Sequence, residues 1–185
     1  MTGTVDDLWN YPVKGTRGRR QEFLIIDPAT GVADDRRYGI RREAGSTKEW
    51  APKAAFFVCM MAAQQPTFVG TGINQLDPSY LHELAQQLAI KDDLQVLDTE
   101  GGYNLCDTKG AYVSFLNLAS VDALSEFMGE AIVPSRFRMN VWMAGLEPFE
   151  ELTWVDKFPG TREIFVGDCC FVGSDPPLVS RRSGS

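Results

Sequence analysis

The sequence predicts a mainly β, α+β fold in which many short strands and a few short helices form a barrel. Short apolar stretches bounded by glycine, proline or asparagine recur along the chain, and only two segments have clear helical periodicity. Short strands with two helices packed against them are typical of a closed or nearly closed barrel. The chain of 185 residues, 44% of them hydrophobic, has no internal repeat or linker and is predicted to be a single domain, 1–185.

The N-terminal third is predicted to contain two strands. Residues 22–26, of which all but Glu22 are apolar, are predicted to form a strand that precedes Asp27-Pro-Ala-Thr-Gly31, a favourable turn sequence. Residues 36–42 are expected to return as the second arm. Residues 56–61 lack alternation, so they form either a buried strand or part of a helix over 50–63. A turn is expected at residues 70–72, which contain two glycines.

Two helices are predicted from the residues that cap their ends. Residues 77–89 open with Asp77 and Pro78, and apolar residues recur there at helical spacing. Residues 120–129 start with a serine cap at Ser120 and stop at Gly129. Phe127 and Met128 of this second helix are expected to face the core. The remaining predicted strands are 94–97, 111–116, 137–143 and 163–172.

Charge and hydropathy restrict the partners. The formal net charge is −7 and the pI is about 4.7, so nucleic acid and anionic membrane surfaces are not expected partners. The longest apolar run, 54–63, is too short to span a bilayer, and no N-terminal secretory signal is evident. We expect a cytoplasmic protein whose partner is a small anionic ligand or an acidic protein surface, bound at a local cluster of positive charge.

Arg136 and Arg138 are the first candidates for that cluster. If residues 137–143 form a strand, alternate side chains share a face, so both guanidinium groups point one way while Phe137 and Met139 point inward. Arginine binds phosphate or carboxylate bidentately. The alternative is a pair of internal salt bridges. We expect both arginines to be at least partly buried and paired, so truncating either would leave a partner charge unpaired at a cost on the order of 3–5 kcal/mol.

The cysteines are Cys59, Cys106, Cys169 and Cys170, with no CxxC spacing. They suit buried, reduced thiols better than a disulfide framework, and no metal site is predicted. His82 is the single histidine and is expected at the surface.

Five short motifs together resemble the MOSC domain, the C-terminal module of molybdenum cofactor sulfurases. In chain order they are Tyr11-Pro-Val-Lys-Gly15, Asp35-Arg-Arg-Tyr38, Asn117-Leu-Ala-Ser-Val121, Arg136-Phe-Arg-Met-Asn140 and Pro148-Phe-Glu-Glu-Leu-Thr-Trp154. The resemblance covers residues 8 to about 170, with an N-terminal motif region over 8–42 and a core over about 94–172. Each motif alone is weakly specific, and their common order carries the resemblance.

The resemblance implies a β-barrel-like fold and a site for molybdenum cofactor, a molybdopterin. In the family, the matching lysine and arginines lie around the phosphate and the pterin of that cofactor. By resemblance, the cofactor-binding candidates in this chain are Lys14, Arg36, Asn117, Arg136, Arg138 and Asn140.

One departure from the family concerns sulfur chemistry. The family has a cysteine in an Arg-Cys pair after the last core strand, which accepts sulfur or ligates molybdenum, whereas residues 179–182 here are Val-Ser-Arg-Arg and the chain stops at Ser185. Because a thiolate is required for either role, we expect cofactor binding without sulfur transfer. Two alternatives remain: a catalytically degenerate structural or partner-binding module, and an active sulfur carrier that uses Cys106, Cys169 or Cys170. An unrelated barrel that binds a phosphorylated small molecule is a third reading.

Overall fold

A computed structural model describes residues 2–42, 65–69, 75–87, 94–100, 102, 104–105, 113–154 and 163–172. Over these residues the fold is mixed α+β, with mostly strands and two α-helices, as the sequence predicts. The described strands form one four-stranded sheet and three two-stranded sheets, none of them closed. Closure into a barrel therefore stays a prediction.

The described residues belong to two compact units that interleave along the chain. The N-terminal unit lies within Asp7–Ser114 and Arg138–Asn140, and the C-terminal unit lies within Met1–Asp6, Phe115–Phe137 and Val141–Ser185. Organisation as a single domain stays a prediction, and each unit is described by itself.

The N-terminal unit begins within strand β1 (Thr4–Asn10), whose last residues pair antiparallel with β2 (Arg19–Gln21). A hairpin of β3 (Ile26–Asp27) and β4 (Gly31–Val32) follows. The carboxylate of Asp27 accepts hydrogen bonds in the hairpin turn from the N–H groups of Ala29, at 2.7 Å, and Thr30, at 2.9 Å. The predicted turn over residues 27–31 is thus confirmed.

The strand predicted over residues 22–26 is wrong except at Ile26. Phe23 and Ile25 are 70% and 65% exposed, so this apolar stretch has no packed face to hold it as a strand. Residues 36–42 do become a strand from Tyr38 onward, β5 (Tyr38–Arg42), but its partner is β6 (Leu94–Asp98). The register runs from the Tyr38–Asp98 pair to the Arg42–Leu94 pair.

Helix α1 (Pro78–Gln87) confirms the first predicted helix. Asp77 caps it by accepting a hydrogen bond from the Ser79 N–H at 2.9 Å, and proline occupies the first turn, where no intrahelical donor is needed. His82 is exposed on this helix, as expected. The apolar core of the N-terminal unit is formed by Val13, Tyr38, Ile40, Leu76, Tyr80 and Leu84. The predictions for residues 50–63 and 70–72 lie outside the described residues.

The C-terminal unit contains β7 (Phe115–Asn117), α2 (Leu118–Met128), β8 (Val141–Ala144) and the hairpin β9–β10 (Glu163–Val166 and Cys169–Val172). Strands β7 and β8 pair in parallel, and the sheet order is β2-β1-β8-β7. Two 3-10 helices, Pro134–Phe137 and Glu150–Thr153, complete the unit. None of the helices that the described residues form is long and apolar enough to cross a membrane.

The second predicted helix starts three residues earlier than the serine cap implies, because its cap is Asn117 and not Ser120. The side chain of Asn117, rather than that of Ser120, accepts the capping hydrogen bond, whereas Gly129 ends the helix in the left-handed conformation as predicted. The expectation that Phe127 and Met128 face the core is wrong, since they are 85% and 56% exposed.

The strand predicted over residues 137–143 begins only at Val141. Pro134, with its fixed φ, opens a 3-10 helix that ends at Phe137, and Arg138 has a left-handed φ of 54°. A left-handed residue cannot continue a strand, so the argument that placed Arg136 and Arg138 on one strand face is wrong. The strand predicted over 163–172 is a hairpin instead, which turns at Gly167 with φ of 57°.

Candidate functional site

The guanidinium group of Arg138 is the most unusual polar group in the N-terminal unit. Its Nη1 and Nη2 atoms are buried, yet neither has a hydrogen-bond partner in the described part of the chain. Buried donors are normally paired, because an unpaired one keeps its full desolvation penalty. The expectation that Arg138 is paired with a carboxylate is therefore wrong, although the expectation of partial burial is confirmed.

Tyr11 forms one wall beside this group. The guanidinium carbon of Arg138 lies 4.5 Å from the centre of the Tyr11 ring, and that of Arg36 lies 5.5 Å from it. Both distances allow a cation–π attraction. Burial raises the pKa of Tyr11 to about 12, with the two arginines acting in the opposite direction, so the phenol is neutral at physiological pH.

Asp35 holds the second arginine in place. The buried carboxylate of Asp35 accepts a hydrogen bond from the Tyr11 N–H at 2.8 Å and forms an ion pair with Arg36. Burial raises the pKa of Asp35, while the positive charge of Arg36 and hydrogen bonds from Tyr11, Arg36 and Asn140 lower it. Arg36 also donates from Nη2 to the carbonyl oxygen of Arg138 at 2.9 Å, which ties the two arginine segments together.

The arginines differ in charge compensation. Arg36 already has Asp35 as its carboxylate partner, whereas Arg138 has none among the residues that the structure describes. Burial, and then the neighbouring charge of Arg36, lowers the pKa of Arg138 to about 10. We call Tyr11, Asp35, Arg36 and Arg138 the arginine cluster; its two guanidinium groups and one carboxylate leave one positive charge uncompensated.

Asn140 forms hydrogen bonds that hold the segment carrying Arg138 in place. Its side-chain oxygen accepts a hydrogen bond from the Ser114 hydroxyl at 2.7 Å, and its side-chain nitrogen donates to the Trp9 carbonyl at 3.2 Å. Asn140 is fully buried. These bonds anchor the short segment Arg138–Asn140 within the N-terminal unit, so Asn140 acts as a positioning residue for Arg138.

Close packing against Tyr11 also depends on Gly18. A Cβ atom at this position would lie 2.4 Å from the Tyr11 ring, far inside van der Waals contact. The segment after Val13 can approach the ring only because residue 18 has no side chain.

The remaining predicted binding residues fall in different places. Lys14 is half-buried in the N-terminal unit, and its backbone N–H donates to the Tyr38 carbonyl at 2.8 Å. Arg136 is exposed in the C-terminal unit, which contradicts the expectation that it is partly buried. The structure therefore brings Arg36, Arg138 and Asn140 together, and assigns Arg136 and Asn117 to the other unit.

Asn117 lies in a hydrogen-bonded network of the C-terminal unit. Its side-chain nitrogen donates to the Glu147 carbonyl and to a Glu151 carboxylate oxygen, both at 2.7 Å, and its oxygen caps helix α2 at Ala119, at 3.1 Å. Ser120 donates to the same Glu151 oxygen at 2.9 Å. The Asn117 amide is thus used for internal bonds that join β7 and α2 to the segment 147–151.

The thiol candidates differ in exposure. On β10, Cys170 is exposed and Cys169 is half-buried, and both are free thiols. Cys106 lies outside the described residues. Among the residues that the structure describes, no group of three or more histidine, cysteine, aspartate or glutamate side chains could hold a metal ion.

Two residues of the cluster, Tyr11 and Asp35, were not among the sequence-predicted binding residues. Both stand in motifs that the sequence analysis singled out, next to Lys14 and Arg36. Their positions in those motifs were a usable signal, but only the structure shows that they contact the arginines. Comparison with known proteins finds no matching family model, no matching curated protein and no matching solved structure.

Proposed function

We propose that the arginine cluster binds the oxyanion group of a small molecule, and that Arg138 is the residue that contacts it. The observation that carries the proposal is the buried, unpaired guanidinium group of Arg138. Burying a charge without a partner is strongly unfavourable, and an anionic ligand would supply the missing partner. The planar fork of Arg138 suits a phosphate or carboxylate group held through two parallel hydrogen bonds.

The resemblance to the MOSC domain supports a more specific ligand, the phosphate of a molybdopterin. Arg36 and Arg138 stand in two of the motifs that carry this resemblance, and the structure packs them beside the same tyrosine ring. The closed barrel, membership of the MOSC family and a role of Lys14 at the ligand belong to this proposal.

Binding without turnover is the activity that we propose. No cysteine stands at the position that the family uses for sulfur, and the arginine cluster contains no thiol. The sulfur-carrier alternative depends on Cys170, whose exposure on β10 would allow a persulfide donor to reach it. Exposure alone does not make a thiol reactive, so we place this reading second.

The proposal can be tested in protein purified from a molybdenum-replete host. Molybdenum content and the fluorescence of extracted pterin would be compared for the wild type, Arg138→Met and Arg20→Met. Arg20 is a matched control, since its side chain is 69% exposed. We expect wild type and Arg20→Met to carry equal amounts of pterin. Arg138→Met should bind about 10- to 100-fold more weakly, the effect of removing a charged hydrogen bond of 1.5–3 kcal/mol.

The outcomes separate the alternatives. Equal pterin content in Arg138→Met and wild type would refute the role of Arg138. If the purified protein contains no pterin but still binds a simple oxyanion through Arg138, the anion site is retained and the molybdopterin assignment is refuted. A persulfide on Cys170, mapped by mass spectrometry and absent from Cys170→Ser, would favour the sulfur-carrier alternative.

A further inference from the structure

We infer that the arginine cluster selects oxyanion groups with a single negative charge over those with two. This inference rests on the proposed function, because it concerns the ligand of the same site. It extends that function by assigning a charge class: a sulfate ester, a carboxylate, a phosphodiester, or a phosphate monoester that retains one proton.

The inference follows from the charges that surround Arg138. Among the described residues, the groups that act on its charge are Arg36, Asp35 and Tyr11. Asp35 compensates Arg36 through an ion pair, and the Tyr11 phenol is neutral at physiological pH. One positive charge therefore remains, and one negative charge neutralises it.

A second negative charge is disfavoured because the two relevant energies scale differently. The attraction between a ligand and the site grows in proportion to the ligand charge. The free energy of removing an ion from water grows with the square of its charge, so it is about fourfold larger for a dianion than for a monoanion of the same size. In a site whose donor atoms are buried, the desolvation of a dianion outweighs its doubled attraction.

Asp35 opposes a dianion as well. Its buried carboxylate lies in the same cluster and is held there by the Tyr11 N–H and Arg36. A dianion at Arg138 would be repelled by this carboxylate with twice the energy of a monoanion. With a dianion bound, the two guanidinium groups would face three negative charges, one on Asp35 and two on the ligand. The buried cluster would then have a net negative charge.

Methyl phosphate and methyl sulfate form a matched pair of probes for this selectivity. They have the same shape, but methyl sulfate keeps one negative charge at all relevant pH values, whereas methyl phosphate gains its second charge near pH 6. Their dissociation constants would be measured from pH 5 to pH 8 by NMR titration that follows the Arg138 side chain. Any titration of Asp35 affects both probes, so the ratio of the two affinities isolates the charge of the ligand.

We expect the affinity for methyl phosphate, relative to methyl sulfate, to fall about 100-fold between pH 5 and pH 8, following the fraction of monoanion. Arg138→Met should lose both ligands, and Arg20→Met should lose neither. A ratio that stays constant or rises with pH would overturn the charge selectivity and leave the anion site intact. It would indicate that a further cation, such as Lys14, joins the ligand. Failure of the wild type to bind either probe, or equal binding by Arg138→Met, would overturn the proposed anion site itself.

Discussion

Replacing Arg138 by methionine is expected to stabilise the protein in the absence of ligand. Burial lowers the pKa of Arg138 to about 10, and a difference of one in pKa corresponds to about 1.4 kcal/mol, so the charged side chain is destabilised by roughly 3 kcal/mol in the fold. Methionine has a similar length and no charge, and its sulfur can contact the Tyr11 ring. The substitution also removes a cation–π contact that contributes about 0.5–2 kcal/mol.

The net expectation is a gain of roughly 1–3 kcal/mol in the free energy of unfolding, or about 2–12 °C in Tm for a chain of this size. The measurement is urea and thermal unfolding at pH 7 in a buffer free of phosphate and sulfate. The penalty on the charged form applies at all pH values below the folded pKa, so the gain should be the same at pH 8.

Arg20→Met serves as the control for effects of the ligand, because the Arg20 side chain is 69% exposed and lies outside the arginine cluster. Adding methyl sulfate should stabilise the wild type and not Arg138→Met, which narrows the difference between them. A loss of 1 kcal/mol or more in Arg138→Met without ligand would refute the reasoning, because it would mean that Arg138 has a stabilising partner within the protein.

Two further predictions concern residues outside the cluster. Asn117→Ala should lower the free energy of unfolding by roughly 2–3 kcal/mol in urea, since it removes a helix cap and the hydrogen bonds to the Glu147 carbonyl and the Glu151 carboxylate. The affinity for methyl sulfate should stay unchanged, and a weaker affinity at equal stability would place Asn117 at the ligand. Arg37 binds Asp98 through two hydrogen bonds, of 2.7 and 3.0 Å, and lowers the pKa of Asp98. The stabilisation is therefore present above about pH 4, where an unfolded aspartate is ionised, and is lost as pH falls through the lower folded pKa. Asp98→Asn should be less stable than the wild type at pH 7 and equal to it near pH 2, and a difference that persists in acid would contradict the ion-pair assignment.

The sequence predicts the helices and several strands because local signals specify them. Asp77 and Pro78 determine where α1 begins, and Gly129 determines where α2 ends, through hydrogen bonds and backbone preferences within a few residues. Such signals do not depend on the rest of the chain. The partner of β5 does depend on it, since β6 is more than fifty residues away and nothing within β5 itself identifies it.

The candidate site was predicted in part, for the same physical reason. Arg36 and Arg138 could be named from their motifs, but the assumed strand geometry paired Arg138 with Arg136. Alternation of polar and apolar residues looks the same in a strand and in a 3-10 helix followed by a left-handed residue. Only the backbone conformation separates the two, and it places Arg138 beside Tyr11.

The left-handed backbone at both arginines has a consequence for protein engineering. Arg36 and Arg138 have φ values of 52° and 54°, a conformation in which glycine has no steric penalty and most other residues do. A redesign that optimises stability alone would therefore favour glycine at Arg138, where the gain from removing a buried charge reinforces the backbone gain. At Arg36 the ion pair with the buried Asp35 opposes the same change. The most stable version of this sequence would thus be one that no longer recognises an anion. Screens for thermostable variants without a selection for binding would therefore enrich substitutions that remove the Arg138 side chain.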